Sequence, residues 1–209
     1  MLRIRRYQLT RRPGARPALG GARRPTVCCA PVTKRQELLA EIKAKAVIRG
    51  AVTLASGRQA DWYIDLRRIL LDGIAAPLAG RVMLDLTSNL TYQAVGGLTL
   101  GADPVAAAMM HAAASQGRAL NAFIVRKAEK SHGLQRRIEG PDVAGQRVLA
   151  VEDTSTTGNS VLIAVDVLTE AGAEVVGVAV VVDRGARDQV ERRGLPYLAA
   201  FDLADLGLS

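Results

Sequence analysis

Residues 147–158 read RVLAVEDTSTTG: an apolar run that ends in Glu152 and Asp153, then Thr154, Ser155, Thr156 and Thr157, closed by Gly158. Two carboxylates delivered by an apolar strand can accept hydrogen bonds from the vicinal hydroxyls of a ribose. The N–H groups of the small-residue loop, with a helix starting at Asn159 and Ser160 beyond it, can hold a phosphate dianion. One stretch is therefore suited to both ends of a sugar phosphate. The two familiar phosphate loops do not account for it, because there is no lysine after paired glycines and no G-x-G-x-x-G after a strand. A surface turn that happens to be rich in Thr and Ser is the plain alternative; the acidic pair at the end of a clean strand argues for a ligand.

The elements around this stretch follow from pattern. Thr33 and Gln36 make a capping box, with Leu38, Leu39, Ile42 and Ala46 on one helical face behind it. Short strands are expected at 52–54 and 61–66 around the Ser56-Gly57 turn, then a helix over 73–86 bent near Pro77. Regular alternation follows, with strands at 94–98, 122–126 and 147–152 and a helix opened by Asp103 as N-cap and Pro104 as its first residue. Val161, Leu162, Val165 and Leu168 form the buried stripe of a helix that Gly172 can end, and 175–182 is a near-continuous apolar run. Such runs belong to parallel strands covered on both faces, so the expected fold is α/β with a doubly wound, mostly parallel sheet. In these sheets ligands bind beyond the carboxyl ends of the strands, where Arg126, Glu152, Asp153 and Arg184 should emerge.

The formal net charge is +8, which at first suggests a polyanion partner. Ten of the 28 basic residues precede the first acidic one, Glu37; the remainder sets 18 basic against 20 acidic side chains, about −2. The folded part is not a nucleic-acid binder by charge. Residues 1–32 hold four prolines and no apolar periodicity, and read as a disordered basic extension, inert rather than a transit peptide. No run is long and apolar enough to span a membrane, so no membrane partner is expected and the cytoplasm is the expected location. Cys28 and Cys29 are adjacent, with poor geometry for a disulfide and too few ligands for zinc, and carry no role.

The segment 147–158 resembles the phosphoribosyl diphosphate motif of the type I phosphoribosyltransferases. Four further segments are similar, in the same order, to the branch that acts on orotate: 56–68 (SGRQADWYIDLRR), 96–104 (GGLTLGADP), 123–140 (FIVRKAEKSHGLQRRIEG) and 180–184 (VVVDR). The resemblance covers about residues 33–208. It implies the type I fold over 33–209, a doubly wound sheet carrying a small N-terminal hood, and transfer of phosphoribose from its 1-diphosphate to orotate in pyrimidine synthesis.

Such a transfer needs anion stabilisers around the departing diphosphate. Arg126, Lys127, Lys130 and His132 open a loop that reaches Gly140, with Gly133 and Gly140 as flexible points, and the resemblance assigns Lys127, Lys130 and His132 to catalysis. Most charge runs of this kind are solvated loops, but the position of this one directly after a strand at the carboxyl edge of the sheet argues for function; His132 alone could equally be an exposed histidine. Residues 152–160 are assigned to the phosphoribosyl diphosphate, and Thr156, Arg184, Tyr63 and Ile64 to orotate, with the Arg184 guanidinium facing its carboxylate. Mg2+ is the implied cofactor, held mainly by diphosphate rather than by a protein cage. In the family the basic loop reaches into the neighbouring subunit's site, which implies a homodimer. Two departures stand out: many relatives carry lysines where this chain has Ala55 and Leu100-Gly101-Ala102, and Arg58, Arg67 or Arg68 could replace them. A purine-specific transferase, or a regulator that keeps the pocket without catalysis, are the rival readings.

Overall fold

The computed structural model describes residues 32–53, 59–127 and 137–208. Residues 1–31, the Ser56-Gly57 turn, Lys130 and His132 lie outside the described residues.

Thr33 and Gln36 close the expected capping box, and α1 (Lys34–Glu41) starts there and buries Leu38. The helix widens into a π turn, Ile42–Ala46, which keeps Ile42 and Ala46 inside. From it the chain enters β1 (Val47–Thr53), paired antiparallel with β2 (Gln59–Ile64) as a sheet of its own. The hairpin starts earlier than the sequence suggested, because Val47 is the cross-strand partner of Ile64. After α2 (Arg67–Leu70), Asp72 Oδ1 accepts the N–H groups of Ile74 and Ala75 at 2.9 Å each and opens α3 (Ala75–Leu86). The Ala75 bond, then the ammonium of Lys45 and the Ile74 bond, hold the Asp72 carboxyl down at about 2. Pro77 falls in the first turn, where its missing N–H breaks no helical bond, so it belongs to the helix start rather than to a bend.

The main sheet is built from β3 (Ala94–Leu98), β4 (Asn121–Val125), β5 (Ile138–Glu139), β6 (Arg147–Ser155), β7 (Glu174–Asp183) and β8 (Tyr197–Phe201). Its order is β5-β4-β3-β6-β7-β8, with β5 antiparallel and all other pairs parallel. The crossovers are α4 (Ala102–Ser115), α5 (Asn159–Glu170) and α6 (Arg187–Glu191), and α7 (Leu203–Leu206) follows β8. Alternate residues of β6 and β7 serve two cores. Leu149, Val151, Ala179 and Val181 join Leu38, Met83 and Met109 on one face. Val148, Ala150, Val178 and Val180 join Val161, Leu168 and Val190 on the other. The doubly wound, mostly parallel α/β fold is as the apolar runs required.

Two boundaries differ in ways that matter for chemistry. Helix α4 begins at Ala102 with Gly101 as N-cap, so Asp103 is not the cap; it sits inside the first turn, and its Oδ2 accepts the Thr99 hydroxyl at 2.7 Å. Strand β6 continues past the carboxylates to Ser155, because β7 runs beside it as far as Asp183. Glu152 and Asp153 therefore belong to the ordered strand and do not hang from its tip.

Candidate active site

A polar cleft of about 300 Å³ opens at the carboxyl ends of β3 and β6. Glu152, Asp153, Thr154 and Ser160 line it from β6 and the start of α5, Lys127 from the end of β4, and Tyr63, Ile64, Asp65 and Arg67 from the hood. The segment Leu98–Gly101 completes it, including the cis peptide bond between Thr99 and Leu100. Two larger hollows, beside Arg137 and beside Thr33, share none of these residues.

Glu152 is only 5% exposed. Burial, reinforced by the charge of Asp153, pushes its carboxyl up to about 8. Its Oε1 accepts the Asp153 N–H at 3.3 Å, and Asp153 Oδ1 accepts the Thr154 N–H at 2.6 Å, so the pair is braced by its own backbone. A crowded acidic pair of this kind suits sugar hydroxyls as donors and a hard cation nearby. Among the described residues no group of three or more His, Cys, Asp or Glu could hold a metal ion. The oxygens of Glu152 and Asp153 fit a hard cation such as Mg2+.

Gly158 is left-handed, with φ of 78°, and caps α5 without a side-chain hydrogen bond. Thr156, Thr157, Asn159 and Ser160 around it are exposed, while Ser155 is buried and its carbonyl accepts the Arg184 N–H at 2.8 Å.

The remaining sequence assignments divide. Arg126 faces Glu139 at 3.3 Å and does not line the cleft. Arg184 is not paired with Asp183; that carboxylate instead takes the N–H groups of Gly185 and Ala186 and the Tyr197 hydroxyl. The Arg184 guanidinium lies over the Trp62 ring, 5.2 Å from its centroid, and its buried Nε has no hydrogen-bond partner. Of the three arginines suggested as replacements for the missing lysines, Arg67 lines the cleft, held by Asp65 at 2.9 Å; Arg68 does not line it, and Arg58 lies outside the described residues. Sequence reasoning passed over Asp65, Thr99, Gly101 and Trp62 as site residues. Gly101 carried a usable signal, a glycine between an apolar strand and a helix start.

Residues 94–195 match the phosphoribosyl transferase domain family, the class that this sheet and this cleft define. An orotate phosphoribosyltransferase of Streptomyces avermitilis is 64% identical over 177 residues, covering 83% of this chain and 97% of that one. The crystal structure of the Mycobacterium tuberculosis orotate phosphoribosyltransferase with Fe(III) dicitrate superposes with a TM-score of 0.78 at 56% identity, covering 84% of this chain and all of that one. The same enzyme in complex with 5-phospho-α-D-ribosyl 1-diphosphate gives 0.74 at 52% identity, with the same 84% of this chain covered. The chain belongs to the orotate phosphoribosyltransferase family.

Proposed function

We infer that the chain transfers the phosphoribosyl group of 5-phosphoribosyl 1-diphosphate to N1 of orotate, releasing diphosphate and orotidine 5′-monophosphate for pyrimidine synthesis. The observation that carries the base assignment is Arg184, whose buried Nε lacks a partner beside the hydroxyl loop. A buried donor of that kind is costly unless an acceptor arrives, and a substrate carboxylate is such an acceptor.

In this reading Glu152 and Asp153 hold the ribose hydroxyls, and Thr154 to Ser160 cradle the 5-phosphate against the start of α5. Thr156 and Arg184 orient orotate, with Tyr63 and Ile64 packed beside it. As N1 bonds to the anomeric carbon, the bond to diphosphate breaks and its electron pair leaves with diphosphate. Arg126, Lys127, Lys130 and His132 offset the charge that develops there. Mg2+, when bound, neutralises diphosphate oxygens. Closing the loop over the reacting sugar excludes water and so limits hydrolysis.

The working unit in this reading is a homodimer whose basic loops serve each other's sites. Leu71 and Ile74, each 74% exposed, and the apolar groove between α3 and α4 gain a partner in that assembly. No helix among the described residues is long and apolar enough to cross a membrane. A ribose carrying a 5-phosphate and a 1-diphosphate does not cross a bilayer unaided, which favours the cytoplasm.

A spectrophotometric assay of orotate consumption with phosphoribosyl diphosphate and Mg2+ tests the reading. The full chain is expected to consume orotate and leave hypoxanthine untouched; preference for hypoxanthine would move it to the purine-specific branch.

A further inference from the structure

Trp62 is the only tryptophan in the chain. It lies on β2 immediately before Tyr63 and Ile64, and is half-buried against the same core as Leu38 and Met83. Its ring therefore has little freedom of its own. Over it, 5.2 Å from the centroid, sits the Arg184 guanidinium, carried in from the end of β7. The two belong to different sheets, so this contact ties the hood hairpin to the carboxyl edge of the main sheet.

The geometry of a guanidinium gives this contact a use. All its N–H donors lie in the plane of the group, so stacking occupies a face and leaves the edge free for a carboxylate. An arginine side chain also carries rotamer entropy, part of which an aromatic platform removes before the ligand binds. Asp183 does not hold Arg184 in this way, since it is engaged by Gly185, Ala186 and Tyr197, and the Arg184 Nε is buried without a partner.

We propose that Trp62 is the positioning residue of the base site, its indole holding the Arg184 guanidinium flat with its edge presented to the substrate carboxylate, so that Trp62 emission senses occupation of that site. This rests on the assignment of Arg184 to orotate. Trp62 touches the arginine and takes no part in bond making.

The test uses the full chain and two readouts. First, the fluorescence lifetime of Trp62, which absorption by the ligand does not distort, is followed with saturating orotate and with uracil, the same ring without the carboxylate. Orotate shifts the lifetime, uracil does not, and the shift disappears in Arg184→Ala. Second, Trp62→Leu raises KM for orotate by about 3- to 30-fold, the range of a cation–π contact, and leaves KM for phosphoribosyl diphosphate within about twofold. Trp62→Phe, which keeps an aromatic face, recovers most of that loss.

Equal rises in both KM values, no rise in either, or a uracil shift as large as that of orotate would overturn the proposal by making Trp62 a packing residue of the hood. If Trp62→Leu does not fold, the lifetime decides, since an orotate shift that persists in Arg184→Ala also overturns it. The two layers separate through Arg184→Ala. An unchanged orotate KM there sinks the base assignment and this proposal with it, whereas a raised KM with an indifferent Trp62 series sinks the proposal alone.

Discussion

Gly101 stands so close to Glu152 that a side-chain carbon at position 101 would overlap the Glu152 carboxylate and come within 2.7 Å of Asp153 Oδ1. Here the backbone itself is packed against the acidic pair. Gly101→Ala is therefore expected to displace both carboxylates and lower kcat/KM for phosphoribosyl diphosphate by roughly 100-fold, the cost of misplacing a positioning group by about an ångström. Steady-state kinetics beside a thermal melt checks this, and a variant with unaltered kinetics would show that the pair can move aside without loss.

Glu152 gives a pH dependence of stability. Its folded-state value of about 8 lies above the ordinary 4.5, so the folded chain keeps a proton that the unfolded chain has lost between those values. The stability associated with that proton is present at low pH and is lost as pH rises through this window. Glu152→Gln cannot ionise. Its melting temperature should gain on wild type progressively from pH 5 to pH 8, by roughly 2–8 °C at the upper end. A difference that stays flat with pH would mean that Glu152 is ionised throughout.

The basic loop is tested by Lys127→Ala, at the edge of the cleft, and Lys130→Ala, assigned from sequence. Each is expected to reduce kcat by roughly 10- to 1,000-fold, as for loss of one charged donor to a transition state, with orotate affinity little changed. Wild-type turnover in both would remove the loop from the mechanism.

Asp183 fixes the chain on which Arg184 rides. Its Oδ1 accepts from Gly185 and Ala186 at 2.9 Å each and from Tyr197 at 3.0 Å. Burial, then the charge of Asp183, raises the Tyr197 phenol, which keeps its proton and remains a donor. Tyr197→Phe removes one of three donors and should cost about 1 kcal/mol in urea unfolding. Asp183→Ala frees two backbone N–H groups as well, and should also raise KM for orotate. An unaltered orotate KM in Asp183→Ala would separate the turn from the base site.

Assembly is tested at Leu71 and Ile74. Glutamate at both positions places charge on the exposed apolar face, and sedimentation should then report the mass of one chain. Because the proposed sites are shared, activity should fall with the dimer; a monomer of full activity would count against shared sites.

The two halves of this enzyme differ in how openly the sequence declares them. The strand at Ala94–Leu98 has the bounds its pattern implied, and β6 and β7 were plain because a parallel strand buried on both faces is apolar throughout. The half of the site proposed to hold ribose and phosphate is contiguous from Glu152 to Ser160, so reading the local sequence amounts to reading that half. β8 and α7 went unread, being short and without a period long enough to notice. The π turn hid the start of β1, since its five residues continue a helical pattern into what becomes a strand. Trp62 with Arg184, and Gly101 with Glu152, were illegible for a common reason: each pairs residues far apart in the chain, and only the completed sheets bring them together.

Helix α5 starts at a left-handed glycine that offers no side chain to its first N–H groups, where most helices supply a serine, threonine or aspartate of their own. On the proposed reading the substrate phosphate fills that role, and hydrogen exchange at the Ser160 and Val161 amides should slow when phosphoribosyl diphosphate is added. The first turn of α5 is then finished by a molecule the chain does not encode, and local order at the site rises and falls with the supply of the metabolite it consumes.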